Sequence, residues 1–320
     1  MIGISIVIPT RGTSDHLIRL LDSIQRQKLD AHFLTMVIVN SATNLIFETI
    51  KTKLAENDLL NLEVLQISEV GVNLARNFGV ERAIYPVIIF LDDDCELADS
   101  HLLQSHLTEH FSRPDLFALG GVYLMREPAA FFDRVYHFIQ MRWLYAARSN
   151  KTNSTSHYLI GGHFSVKREL LSRYGIKFNP KITYGGSELE FFLAARECDL
   201  KVELSELGVL HVTNENIFSI TRKLYRQGCG QALSEKNFPN QVQSSEEEEV
   251  GLSESFWMNA CLTYFNYVFW LGYYDFKRQR MQYIKHFTGH FMGVVKFRRF
   301  KLLKGLQQDA KNKAQRGDRL

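Results

Sequence analysis

Short apolar runs alternate along the chain with longer stretches in which apolar residues recur every three or four positions. Ile4-Ser-Ile-Val-Ile-Pro9 is β-rich and ends at a proline, which predicts a first strand. Residues 10–14 read as a polar turn. Ser14 or Asp15 can cap the helix that follows, which carries Leu17, Leu20, Leu21 and Ile24 at helical spacing. The pattern then predicts a strand over 36–39, a helix over 45–54, a strand over 62–67, a helix over 72–83 and a strand over 86–91. That last strand is stopped by Asp92-Asp93-Asp94. Val87 to Leu91 is apolar without alternation, as a strand buried on both faces requires. Strands alternating with helices predict an α/β fold, a mostly parallel sheet with helices on both faces. In such sheets ligands bind beyond the carboxyl ends of the strands, so the residues after Val39 and after Leu91 are expected at one shared site.

Further along, helices are predicted over 102–111 and 131–146 and strands over 117–124 and 158–166, with a short helix from Lys167. A helix over 188–196 has Leu189, Phe192 and Leu193 on its apolar face. Residues 202–211 read as strand and turn, and 217–234 as helix. Residues 241–249 are polar and acidic, a predicted loop and the best boundary. The expected division is a main domain over 1–235, an acidic loop over 236–254 and a helical extension over 255–320. Residues 256–274 form an uncharged run of 19 positions, long enough to span a bilayer. It also holds Asn259, Thr263 and Asn266, and Trp257, Tyr264, Tyr267, Trp270, Tyr273 and Tyr274. Trp and Tyr favour the membrane interface. Attachment to a membrane surface fits this composition better than a span, with helix packing or a homodimer contact as the other reading.

Composition narrows the class. With 45% hydrophobic and 23% charged residues, the chain is globular rather than disordered. The four cysteines, Cys95, Cys198, Cys229 and Cys261, lack CxxC spacing, which argues for reduced thiols in a cytosolic protein. The apolar run at 2–9 is too short for a signal peptide. Net charge is +3, yet residues 277–320 carry 13 Lys/Arg against two Asp, which leaves the preceding 276 residues at −8. A basic segment after an aromatic one suits anionic lipid, so the expected location is cytoplasmic, peripheral at the inner face of the cell membrane. Lys296-Phe-Arg-Arg-Phe-Lys301 interleaves bases with aromatics, but nothing in the body suggests a nucleic-acid fold, so no nucleic-acid partner is expected.

Four segments could carry chemistry. Asp92-Asp93-Asp94 places three carboxylates together, which repel unless a cation sits among them. Hard divalent cations take such oxygens and bridge to substrate phosphates. The plain alternative is a solvated acidic turn. Arg76 opens a helix in Ala75-Arg76-Asn77-Phe78-Gly79 and suits phosphate or base edges, or is simply a surface arginine. Tyr184-Gly185-Gly186-Ser187-Glu188 leads into a helix. Glu188 there is either a general base for an attacking hydroxyl or an ordinary acid in a first turn. His211 ends an apolar strand, as a metal ligand or as a structural histidine.

Taken in order, the strand-final Ile8-Pro9-Thr10-Arg11, the Ala-Arg-Asn-x-Gly helix, the strand-final triple Asp, the Gly161-Gly162 segment, the helix at Glu188 and the later His211 resemble the family 2 glycosyltransferases with the GT-A fold. The resemblance covers roughly residues 3–215. It implies a Rossmann-like nucleotide-diphospho-sugar transferase domain. Asp92 and Asp94, with Asp93 between them, would form the DxD element that holds a divalent metal, Mn2+ or Mg2+, and the donor ribose. His211 would complete the metal site. Arg76 would contact the nucleotide or its phosphates, and Pro9, Thr10 and Arg11 would line the nucleoside pocket. Asn40 stands where the family often has a base-reading Asp. Gly162-His163 stands where the family often has Gly-Asn before a basic pair, here Lys167-Arg168, and would approach the donor sugar or the acceptor.

The resemblance implies an inverting transfer from a nucleotide-sugar, a UDP-sugar first, to a hydroxyl of a saccharide or lipid-linked saccharide, with Glu188 as base. Two other readings stay open. A sugar nucleotidyltransferase also needs acids and metal, although Pro9-Thr-Arg-Gly12 is a poor version of its loop. A catalytically inactive relative that binds a nucleotide or a partner is kept open by Asn40 and by Ser187-Glu188, where the family often has Glu-Asp.

Overall fold

The computed structural model describes residues 2–278 except 13–14, 41–42, 56–60, 148–155, 157, 183–186 and 240–255. Ser14, Ser41, Tyr184-Gly185-Gly186, the acidic stretch 241–249 and the basic segment beyond 278 lie outside the described residues.

In the first half, β1 (Gly3–Thr10), β2 (His32–Asn40), β3 (Leu62–Ile67) and β4 (Val87–Leu91) alternate with α1 (Asp15–Gln25), α2 (Asn44–Ala55) and α3 (Val72–Arg82). β5 (Cys95–Leu97), α4 (Leu102–Ser112), β6 (Leu116–Met125), α5 (Phe131–Ala146), β7 (His163–Lys167), α6 (Arg168–Tyr174), α7 (Ser187–Glu197) and β8 (Lys201–His211) follow. α8 (Ile217–Asn237) and α9 (Phe256–Phe276) complete the described elements. Every residue of β1 and of β4 is buried. Successive strand residues point to opposite faces, so both faces of the sheet are covered there. α1 turns Leu17, Leu20, Leu21 and Ile24 into that core.

Among the described residues eight strands form one mixed sheet in the order β3-β2-β1-β4-β7-β6-β8-β5. β1 is parallel to β2 and to β4, β2 to β3, and β6 to β8. β7 runs antiparallel to β4 and β6, and β5 antiparallel to β8. The in-register pairing of Thr10 with Val39 and of Asn40 with Ile67 brings the carboxyl ends of β1, β2 and β3 to one edge. Asp92 follows β4 at the same edge.

Two local features differ from the sequence pattern. The strand expected over 158–166 begins only at His163, because the chain turns at Gly161-Gly162, with the His163 N–H donating to the Ile160 carbonyl at 3.3 Å. β5 was not expected at all, since three residues are too few to show a period. It pairs Cys95 with His211.

α9 lies on α8 and α5, where Val135, Tyr136, Ile139, Ile220, Leu224, Phe265 and Val268 form a second apolar cluster. The helices approach closely at two glycines. A Cβ on Gly228 would run into the Phe269 carbonyl, and one on Gly272 into the Tyr225 carbonyl. Among the described residues no helix is long and apolar enough to cross a membrane, which removes the spanning reading of 256–274.

Candidate active site

A cavity of about 770 Å3 opens at the carboxyl edge of the sheet. Pro9, Thr10, Arg11, Asn40, Arg76, Asp92, Asp93, Asp94, Glu188 and His211 all line it. These residues span two hundred positions of sequence, and strand ends and helix starts bring them together.

Arg76 is the centre of the arrangement. α3 carries it beneath the sheet edge, where its side chain is 2% exposed. One Nη donates to Glu188 Oε1 at 2.6 Å, and the other to Asp92 Oδ1 at 3.2 Å and the Gly161 carbonyl at 3.0 Å. Burial works against the guanidinium charge, but the Glu188 and Asp92 carboxylates hold its pKa above the ordinary value. Burial raises the Asp92 carboxyl; Arg76 opposes that shift and Asp94 adds to it. One cation therefore serves two carboxylates, and removing it would strand both.

The glycines explain the tightness. A Cβ on Gly161 would strike the Glu188 carboxylate, and a Cβ on Gly162 would meet Asp92 Oδ2 at 2.6 Å. Only residues without a side chain let the turn before β7 close over this ion network.

Asp93 turns toward β1, where the Thr10 hydroxyl donates to its Oδ2 at 2.6 Å. Burial pushes the Asp93 carboxyl up to about 7, with Thr10 opposing and Asp94 and Asp92 adding to the rise. Asp94 faces the other way. Its Oδ2 is 3.4 Å from His211 Nε2, and its Oδ1 is buried with no hydrogen-bond partner among the described residues. Burial would raise this carboxyl, but its contact with His211, and then the Lys223 ammonium, bring it below its ordinary range. The β5–β8 pairing makes this contact, since Cys95 opposite His211 sets Asp94 beside it. The His211 ring stacks on Tyr123 at 4.1 Å, and the Tyr123 hydroxyl points to Asp92 Oδ2 at 3.5 Å.

Asn40 lines the cavity, but its Oδ1 already accepts from the Gly71 N–H at 2.9 Å. It ties the end of β2 to the start of α3. His163 departs from expectation. Its side chain is fully buried, and its Nε2 lies 3.0 Å from His106 Nε2. Neither Gly162 nor His163 lines the cavity. Gly162 acts through its close approach to Asp92. The structure places the His163 ring away from the cavity, because strand alternation turns it, with Ser165, toward α4. Tyr123 and Lys223 went unnoticed in the sequence. A tyrosine two residues after a Gly-Gly pair in a strand, and a lysine in a helix after a strand-final histidine, are signals too common to single out.

The donor set at Asp94 suits a divalent cation. It offers an unpartnered carboxylate oxygen beside an imidazole, an oxygen–nitrogen pair to which substrate phosphates can add. Among the described residues no group of three or more His, Cys, Asp or Glu forms a ready-made metal cage. Asp92 is engaged with Arg76 and Tyr123, which leaves Asp94 and His211 as the protein's own pair for such an ion.

The sequence model of the glycosyl transferase family 2 matches residues 5–175, more than half of the chain. The chain belongs to glycosyl transferase family 2. Among solved structures, the chain is similar to the mannosyltransferase PcManGT from Pyrobaculum calidifontis, in complex with GDP-Man and Mn2+. The TM-score is 0.58 at 15% identity, over 75% of this chain and 65% of that one, just under two thirds of its length. It is also similar to TarS 1-349 from S. aureus, with a TM-score of 0.53 at 14% identity over 87% of this chain and 73% of that one. The same protein in complex with UDP-GlcNAc gives 0.53 at 15% identity over 83% and 72%. At these identities the likeness shows the fold, a GT-A arrangement. No match is found among curated proteins.

Proposed function

We propose that this glycosyltransferase is metal-dependent and inverting, and moves a sugar from a nucleotide-diphospho-sugar to a hydroxyl of a saccharide or lipid-linked saccharide. The carrying observation is the single cavity in which Arg76 joins Asp92 to Glu188 while Asp94 keeps a bare oxygen beside His211. Similarity to proteins solved with GDP-Man and Mn2+ and with UDP-GlcNAc supports a nucleotide-sugar donor. A UDP-sugar is the first to try.

Asp94 and His211 would hold Mn2+ or Mg2+. Bound there, the cation supplies positive charge to the diphosphate leaving group. Pro9, Thr10, Arg11 and Asn40 receive the nucleoside. Asp92, fixed by Arg76, receives the ribose, and the turn at Gly162 keeps Asp92 in place. Glu188 gives one oxygen to Arg76, which leaves the other to take the proton of the acceptor hydroxyl as it attacks the anomeric carbon. That attack is a single displacement with inversion, so no nucleophilic Ser or Cys is required.

The exposed side of α9, with Trp257, Tyr264, Leu271 and Phe276, together with the basic sequence that follows, supports attachment to an anionic membrane surface on the cytoplasmic side. A lipid-linked acceptor would be met there.

The test is thermal unfolding of the full chain with UDP-, GDP-, CMP- and dTDP-sugars, with and without Mn2+. A ligand for the native state raises apparent stability by mass action. One nucleotide class should stabilise the protein only with metal, and Asp94→Asn should abolish that shift. Slow hydrolysis of the donor, followed by NMR, should release the inverted anomer first. Metal-independent stabilisation, or unchanged UDP and Mn2+ affinity in Asp94→Asn, would refute the assignment.

A further inference from the structure

Lys223 has no part in the steps above, yet it lines the cavity together with Asp94 and His211. Several elements hold it there. Asn216 caps α8 in a reciprocal capping box with Ser219, which fixes the helix two turns before Lys223. Glu215, whose side chain is 4% exposed, is ion-paired with the Lys223 ammonium. Glu215 is itself anchored, because its N–H donates to Asp133 Oδ1 at 2.7 Å, and the Thr213 hydroxyl donates to the same oxygen at 2.8 Å. The ammonium stands 4.7 Å from the centroid of the Tyr136 ring on α5. A lysine on a surface helix normally keeps its rotamer freedom. This one is fixed by an ion pair and by an aromatic face.

Charge gives the placement a purpose. The cavity wall carries Asp92, Asp93, Asp94 and Glu188, and Arg76 is already shared between two of them. A nucleoside diphosphate adds two or more negative charges. Arg11, Lys181 and Arg226 also line the wall, so position rather than total charge singles out Lys223. An ammonium has three N–H donors, and Glu215 takes one. Lysine serves phosphate as a compact point charge, and Lys223 is the lysine whose charge acts on Asp94.

We propose that Lys223 is a second, protein-borne cation for the donor diphosphate, contacting the leaving phosphate from the α8 side of the cavity. This rests on the reading of the cavity as a nucleotide-sugar site. When the bond between the anomeric carbon and the phosphate oxygen breaks, its electron pair stays on that oxygen. An N–H of Lys223 then donates to the new charge, while the acceptor oxygen bonds the carbon and its proton passes to Glu188. Glu215 holds the ammonium in advance, so little reorganisation accompanies the charge movement.

The experiment is calorimetric titration of the full chain with UDP, GDP, uridine and guanosine in Mn2+, for the wild type, Lys223→Met and Lys223→Arg. Lys223→Met should lose roughly 10- to 100-fold in affinity for the diphosphate, the range expected for one charge-assisted hydrogen bond. Its affinity for the matching nucleoside should stay unchanged, and Lys223→Arg should recover most of the loss. Lys223→Met leaves Glu215 buried without its partner, so the double variant Glu215→Gln/Lys223→Met serves if the single one does not fold. An equal loss for nucleoside and diphosphate, or no loss in a folded variant, overturns the proposal. A wild type that binds none of the four ligands, nor CMP or dTDP, overturns the nucleotide-sugar reading itself, a different result from a loss confined to the variant.

Discussion

Two buried polar clusters sit on the same sheet, and they behave differently. At the carboxyl edge Arg76, Asp92, Asp94, Glu188 and His211 line the cavity. On the α4 side His106, His110, His163 and Ser165 are more deeply buried, each at most 2% exposed, whereas the Asp92 and Asp94 side chains are 35% exposed. There His106 Nδ1 and His110 Nε2 lie 2.7 and 2.8 Å from the Ser165 hydroxyl, and His106 meets His163 at 3.0 Å. Burial drives both clusters toward neutrality: it raises Asp92 and Asp93 and lowers the three imidazoles. The histidines can comply, because a neutral imidazole carries no charge to balance, even though His110 Nδ1 and His163 Nδ1 have no hydrogen-bond partner among the described residues. At the carboxyl edge charge persists, because Arg76 holds its own and His211 and Lys223 keep the Asp94 carboxyl below its ordinary range. Burial of polar side chains therefore does not mark a site. Charge that the protein leaves unbalanced, open to a cavity, does.

The sharpest way to break this contrast is to remove the charge that joins the first cluster. Arg76→Met should cost about 2–3 kcal/mol in urea unfolding, because Glu188 loses its counter-ion at a nearly buried position and Asp92 at a partly exposed one. Adding Asp92→Asn and Glu188→Gln should restore much of that stability without restoring transfer. If Arg76→Met were as stable as the parent, the carboxyl edge would be no more strained than the histidine cluster, and the distinction would fall.

The histidine cluster should respond to acid instead. Burial holds His110 down to about 3 and His163 down to about 4, and puts His106 well below its ordinary value. The folded chain stays neutral at these rings where the unfolded chain, with histidines near 6.5, takes up protons. Stability is therefore lost as pH falls from about 6.5 toward 4, by up to about 1.4 kcal/mol per pH unit for each histidine. Urea midpoints at pH 7, 6 and 5 measure that slope, and His110→Gln should flatten it by one histidine's share. An unchanged slope would mean that His110 is charged or solvated in the native state.

Much of the first cluster could be read along the chain, because its residues sit at strand ends. β1 announces itself as a β-rich run interrupted only by Ser5 and β4 as an unbroken apolar run, and the triple Asp follows the second of them. The pairings could not be read. Arg76 and Glu188 meet across 112 positions, and no local pattern fixes that contact. His211 stood out as a strand-final histidine, but its place beside Asp94 depends on β5, three residues long and visible only once paired with β8. The histidine cluster was missed for a related reason. His106 and His110 look like surface positions of a helix until α4 packs over β7. His163 lies off the cavity because the Gly161-Gly162 turn delays the start of the strand, and the strand's face decides where that ring goes.

The finest test uses the two neighbours on which the clusters divide. A Cβ on Gly162 would meet the Asp92 carboxylate at 2.6 Å, whereas the next side chain, His163, points the other way to His106. Gly162→Ala should thus weaken nucleotide binding by displacing Asp92. His163→Leu should leave nucleotide affinity unchanged and lower stability by about 1–3 kcal/mol, the penalty for stranding His106. Titration of the functional nucleotide against both variants, with unfolding curves for each, separates the outcomes. A tenfold rise in Kd for His163→Leu at parental stability would return His163 to the donor site and show that cavity lining is too strict a criterion. A fall in stability alone would leave the division between two adjacent residues intact, since one step along a strand is enough to cross from one face of the sheet to the other.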